Sequence, residues 1–176
     1  MMKKTALTVS IFVLVNFLGH SNSFAKSRKS SEQRQQGVVQ ACHDGDTCRI
    51  LVAGKIAKVR FAGVDTPELK QPYGKDAQRF TEGLLKGKLV GLVCNGKSYD
   101  RITCEVFLEG RNINLEIVQN GWAYDLPKYS KGLYKEAELT ARAQKIGIWK
   151  SSNLISPHCF RHKSDKRCRV AASFMP

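Results

Sequence analysis

The stretch VVQACHDGDTCRILVAGKIAKVRFAGV, residues 38–64, constrains the fold more tightly than any other part of the chain. Three short runs rich in β-branched residues, at about 37–43, 46–53 and 56–63, alternate there with turn signals. Asp44-Gly45 favours a tight hairpin, because those residue types accept turn backbone angles. Ala53-Gly54-Lys55 marks a second turn. Each run is short, so the segment predicts a three-stranded meander.

Downstream, YGKDAQRFTEGLLKGK predicts a helix over about 75–86, with Ala77, Phe80, Leu84 and Leu85 on one face. Strands are expected at 89–94 and 102–110. The segment NLEIVQNG reads as a short helix with Asn114 as N-cap and Gly121 as its stop. A last helix over about 132–146 repeats Leu133, Ala137 and Ala141 every four residues. The class is therefore α+β. Five short strands with glycine-containing turns predict a small Greek-key β-barrel of the OB-fold type, helices outside, with a generic α+β domain as the rival. The 176-residue length fits one domain, and 42% hydrophobic residues supply a core.

The ends differ from this body. Lys3 and Lys4 precede the apolar run ALTVSIFVLVNFL, and Ser23-Phe24-Ala25 presents small residues for cleavage. Residues 1–25 are thus expected to be a signal peptide, with an uncleaved membrane anchor as the rival. Asn16, His20 and Asn22 shorten the apolar run below a comfortable membrane span. Cleavage after Ala25 leaves a chain with no stable membrane anchor, exported to the periplasm or secreted, and expected to be a monomer. Residues 26–36 read as a flexible basic arm, 37–150 as the folded domain, and 151–176 as a basic, cysteine-containing tail.

Export makes the 6 cysteines disulfides before anything else. Three local bridges are expected: Cys42 with Cys48 across a turn, Cys94 with Cys104 about a hairpin, and Cys159 with Cys168 around the tail. The rival is metal binding by His158, Cys159, His162 and Cys168, whose spacing fits no common zinc pattern. The net charge of +14 calls for a polyanionic partner such as nucleic acid, a heparin-like polymer or an anionic membrane.

The chemistry gathers in RFAGVDTPE, residues 60–68. Asp46 follows the first hairpin turn and Asp65 follows the third strand, and hard oxygen ligands at their meeting point suit Ca²⁺ or Mg²⁺. The Thr66 carbonyl adds a further ligand. Pro67 turns the chain and can bring Glu68 behind a metal-bound water as general base. Arg60 lies five residues before Asp65, an odd separation that sends the two to opposite strand faces unless the chain bends. Gly63 is the place for that bend. Guanidinium forks on a phosphodiester, a metal and an activated water form one consistent set, with Arg101 as second fork and Tyr99 as a base-stacking platform. The plain alternatives are a surface ion-pair cluster at 60–68 and an Asp-capped turn at DGD.

Together DGDT (44–47), VRFAGVDTPE (59–68), YGKDAQRFT (73–81), YDR (99–101), NLEIVQNGWA (114–123) and ARAQKIGIW (141–149) resemble the staphylococcal nuclease (thermonuclease) family over about residues 37–149. The resemblance implies an OB-fold barrel with three helices. It implies Ca²⁺-dependent hydrolysis of DNA and RNA at the bond to the 5′ oxygen, leaving 3′-phosphate ends. Residue by residue, it makes Asp46 and Asp65 the calcium carboxylates, Thr66 the carbonyl ligand, Glu68 the general base, and Arg60 and Arg101 the phosphate-binding arginines. Tyr124 and Tyr129 both match its base-contacting tyrosines. Asp100 replaces the glycine usual between Tyr99 and Arg101, which bears on the rate more than on the reaction. A noncatalytic nucleic-acid-binding OB module is the alternative.

Overall fold

A computed structural model describes residues 35–166 and 168. The expected signal peptide and all but the last two residues of the arm lie outside the described residues. The elements run β1 (Gln35–Cys42), β2 (Thr47–Val52), β3 (Lys55–Phe61), β4 (Val64–Asp65), α1 (Gly74–Leu85), β5 (Leu89–Ser98), β6 (Arg101–Leu108) and β7 (Arg111–Asn112). Then come α2 (Ile113–Gln119), β8 (Tyr124–Asp125), α3 (Pro127–Ser130), α4 (Lys135–Ala143), a 3₁₀ turn (Gly147–Lys150) and α5 (Pro157–Arg161).

The meander forms as its turns require. β1 and β2 pair antiparallel with Cys42 opposite Cys48, and β2 pairs β3 with Thr47 opposite Arg60. β5 adds to β1, and β6 returns along β5 with Cys94 opposite Cys104. A parallel β3–β6 pairing, with Arg60 opposite Thr103, joins the edges. Five strands thereby close into an OB-type barrel, which leaves no exposed edge along its wall. The three expected disulfides are present, the pairing expected of a chain from an oxidising compartment.

The barrel interior is filled by Val39, Ile50, Val59, Phe61, Leu92 and Val106, all essentially inaccessible. Leu85 of α1 and Ile113, Ile117 and Val118 of α2 join this core. A second apolar cluster around Ala141, Ile148 and Trp149 packs with Trp122 and Tyr124. It depends on two glycines. Gly121 and Gly147 take φ of +71° and +58°, and a β-carbon on either would overlap the other strand of backbone, where Ile148 N–H donates to Gly121 O at 2.9 Å.

Two local expectations need correction. Asn112, not Asn114, caps α2: its side chain accepts from Leu115 N–H at 3.0 Å. Asn114 is buried and binds three backbone groups instead. It accepts from Val106 N–H and donates to the carbonyls of Ala62 and Cys104. Leu133 precedes α4 and is exposed, because the helix expected over about 132–146 is shorter, Lys135–Ala143, and starts only after Lys131 and Gly132, both in left-handed backbone. No helix among the described residues is long and apolar enough to cross a membrane.

Candidate active site

Asp46 reaches the site from the β1–β2 turn. Its N–H donates to Asp44 Oδ1 at 3.0 Å, a local Asx contact that shapes DGD. Helix α1 fastens the same loop. Thr81 Oγ1 donates to Gly45 O at 2.7 Å, and Gln78 Nε2 donates to Cys42 O at 2.9 Å. The YGKDAQRFT motif thus positions a carboxylate it does not itself carry.

Asp65 arrives from the other side. β3 ends at Phe61, and Gly63 takes φ of +73°. That bend brings together two side chains that a continuous strand would separate. Arg60 Nη2 lies 3.0 Å from Asp65 Oδ1, and Nη1 lies 3.2 Å from Asp46 Oδ1. Buried Asn114 braces the bend by binding Ala62 O. Thr66 donates to Asp46 Oδ2 from both its N–H, at 2.7 Å, and its hydroxyl, at 3.0 Å. Glu68 follows in a loop closed by Gln71, whose N–H donates to Glu68 O at 2.8 Å and whose Oε1 accepts from Glu68 N–H at 3.2 Å. A β-carbon on Gly74 would overlap the Glu68 carbonyl, so glycine at the start of α1 sets how close this loop approaches.

These residues line one open cleft of about 1120 Å³. Its floor is acidic, with Asp44, Asp46, Asp65 and Glu68, and its rim is basic, with Lys97, Arg101, Lys128 and Lys131. Burial, reinforced by the neighbouring Asp46, pushes the Asp44 carboxyl up to about 7. Burial also raises Asp65, with Asp46 adding to the effect and Arg161 and Arg60 opposing it.

The remaining expected residues are distributed unevenly. Arg101 lines the cleft from the start of β6. Tyr129 lines it from α3 and is well exposed. Tyr124 packs edge-on against Trp149 at 4.7 Å within the second apolar cluster, and burial raises its phenol to about 12. Tyr99 projects from the β5–β6 hairpin tip at 96% exposure, outside the cleft lining. Asp100 turns away from Arg101's role: its carboxylate pairs with Lys58 Nζ at 2.9 Å.

One residue was not foreseen. Arg161, at the end of α5, reaches back 96 residues to Asp65, donating to Oδ1 at 3.2 Å and Oδ2 at 2.9 Å. It also donates to Glu68 Oε1 at 2.6 Å. Partial burial works against its charge, but the two carboxylates override that and raise its pKa. In sequence it sits in a basic tail with no period, which carries no signal of this reach. Asp44 was legible only as a turn residue.

The donor set fits a hard divalent cation. Two carboxylates converge on one point, as their shared contact with Arg60 shows, and no histidine or thiol lines the cleft among the described residues. In the tail, Cys159 and Cys168 are joined to each other, and so are not thiolate ligands, while His158 Nε2 meets Asp165 Oδ2 at 2.9 Å.

The family described as staphylococcal nuclease homologue matches residues 58–151. A Haemophilus influenzae protein named "Uncharacterized endonuclease" is 35% identical over 136 residues, 76% of each chain. An Escherichia coli protein of the same name is 30% identical over 130 residues, covering 72% of this chain and 85% of its own. Endonuclease YncB of Bacillus subtilis is 30% identical over 164 residues, 80% of this chain and 78% of its own. The chain belongs to the staphylococcal nuclease family and is a nuclease that hydrolyses phosphodiester bonds.

Proposed function

We propose that this family member is a calcium-dependent, sugar-nonspecific nuclease that cuts DNA and RNA to leave 3′-phosphate ends. The observation that carries the reading is the convergence of Asp46, Asp65 and Glu68 on the floor of a basic-rimmed, open cleft. Asp46, Asp65 and the Thr66 carbonyl would hold the ion. Bound there, Ca²⁺ supplies a Lewis acid for a phosphoryl oxygen and lowers the cost of deprotonating water.

The chain's own residues do the rest. Glu68 accepts a proton from the attacking water, or orients it, from a loop whose backbone Gln71 and Gly74 hold. The fork of Arg101, and the donors of Arg60 left over from its contacts with Asp46, Asp65 and Phe61 O, bind the non-bridging oxygens, where charge grows in the transition state. Lys97, Lys128 and Lys131 attract the flanking phosphates, which DNA and RNA share, and this favours an enzyme indifferent to the sugar. Tyr129, exposed on the cleft lining, would stack on a base, a reading its exposure supports. Tyr124 serves by packing.

We infer export as well, from the amino-terminal apolar segment and the three disulfides. Full reduction of the exported protein is expected to add the mass of six hydrogen atoms, two for each disulfide.

The deciding experiment is cleavage of single-stranded DNA and of RNA with Ca²⁺ and with chelator, beside Glu68→Gln, followed by end-group analysis. Calcium-dependent cutting to 3′-phosphate ends that falls about 10²- to 10⁴-fold in the variant is expected. Tight binding without cutting under either condition would replace this reading with the noncatalytic OB module.

A further inference from the structure

We propose that Arg161 is a tethered counter-ion of the metal site, seated on Asp65 and Glu68 in the metal-free protein and exchanged for the divalent cation on loading. The proposal rests on the metal-dependent reading above.

An ionised carboxylate offers about four acceptor positions. On Asp46, Thr47 Oγ1, Arg60, and the N–H and hydroxyl of Thr66 approach these positions. On Asp65, Arg60 takes one and Arg161 takes two. The same guanidinium spans to Glu68, so it bridges a metal-ligand carboxylate and the water-activating one. The floor is thus nearly saturated by donors of the chain itself. A cation can bind Asp65 fully only if a donor withdraws, and two like charges on one carboxylate repel.

Arg161 is the donor built to leave. Arg60 projects from β3, which is paired on both sides, and its side chain is 16% exposed. It is also anchored by donation to Phe61 O at 2.9 Å. Arg161 is 38% exposed and ends a five-residue helix. Two ties hold that segment near the site, donation from Gln71 to the Ile155 carbonyl and packing of Leu154 on the second apolar cluster, while the Ser156 cap on Cys159 N–H and the Cys159–Cys168 disulfide hold the helix itself together. Gln71 is the residue that closes the Glu68 loop, so the tail's attachment and the Glu68 position share one side chain. A short segment with covalent reinforcement holds its arginine at high effective concentration beside the carboxylates while leaving it free to withdraw.

The test is calorimetric titration of Ca²⁺ into the full chain without nucleic acid, for the parent, Arg161→Gln, and the pair Cys159→Ser with Cys168→Ser. Removing a charge-assisted competitor is expected to tighten Ca²⁺ binding roughly ten- to a hundredfold in Arg161→Gln. Opening the disulfide, which loosens α5 without removing Arg161, is expected to give an intermediate gain. Thermal unfolding supplies a second readout. Metal-free Arg161→Gln is expected to melt below the parent and to gain more from Ca²⁺. Parent-like or weaker Ca²⁺ affinity in both variants would overturn the exchange and leave the nuclease reading intact. No Ca²⁺ binding by any of the three would overturn the metal reading and the exchange together.

Discussion

Asp65 is held by two guanidiniums from very different parts of the molecule. Arg60 comes from the barrel wall, five residues away in sequence, and Arg161 from the tail, 96 residues away. The bonds are alike, at 3.0 Å from Arg60 and 2.9 and 3.2 Å from Arg161. What differs is the support behind them. β3 lies between β2 and β6, and its end is fixed by Phe61 N–H donating to Asp46 O and by Asn114 on Ala62 O. The α5 segment rests on one side-chain bond, from Gln71 to Ile155 O, and on Leu154 packed against the second apolar cluster, with its own cap and disulfide internal to the tail. Equal contacts therefore imply unequal permanence: a group on rigid support can serve as a fixed electrostatic part, and a group on a strap can be exchanged.

The sharpest way to break this contrast is at Arg60. Arg60→Lys keeps the charge and loses the fork that reaches both Asp46 and Asp65. Cleavage at saturating Ca²⁺ is expected to fall about 10²- to 10³-fold, with little change in nucleic-acid Kd. A loss seen mainly in Kd would make Arg60 an anchoring charge and erase its distinction from the rim lysines.

Next in size is a backbone change where the barrel side hands over to the tail side. Gly121→Ala places a β-carbon on left-handed backbone, against the Ile146 carbonyl. Denaturant unfolding is expected to show a loss of about 2–4 kcal/mol. A loss under about 1 kcal/mol would mean that the Gly121–Gly147 contact relaxes without cost.

The disulfides give a paired test. Cys94–Cys104 and Cys159–Cys168 close loops of nearly the same length, with separations of 10 and 9. Loop entropy alone would make them equal, at about 2–3 kcal/mol each. The first sits in the barrel, where Cys104 is fully buried. The second lies in the tail segment that the proposed exchange requires to detach while the barrel stays folded. Serine pairs are therefore expected to cost about 2–3 kcal/mol in the barrel and under about 1 kcal/mol in the tail, read by a barrel probe in denaturant. Equal costs would show that α5 is part of the cooperative unit and would remove the basis for calling it a strap.

The same contrast explains what the sequence discloses. The β1–β3 meander was legible because its turns are local: Asp44-Gly45 and Ala53-Gly54-Lys55 announce themselves. The bend at Gly63 was legible because Arg60 and Asp65 could meet in no other way. Asn114 was visible as a polar residue at a helix start, but its true partners, Val106, Ala62 and Cys104, are set by barrel closure. Tyr124 and Tyr129 were indistinguishable in sequence, and packing on Trp149 separated them. Arg161 was illegible for a stronger reason. Its contacts with Asp65 and Glu68 follow from the placing of a tail by Gln71 and by Leu154 on the second apolar cluster, and no local pattern encodes a meeting across more than ninety residues.

The smallest effect is expected at the hairpin tip. Asp100 stands where the family usually has glycine, and beside Arg101 it is positioned to compete with phosphate. The structure directs it elsewhere, to Lys58 on β3, and that pairing holds its carboxyl below the usual range. An exposed pair of this kind contributes little, and its loss leaves Arg101 in the cleft lining. Asp100→Gly is expected to change cleavage within about threefold at moderate salt. A rise beyond tenfold, fading as salt is added, would mean that Asp100 withholds Arg101 from substrate. The hairpin tip would then join the tail as a second place where this chain restrains its own site.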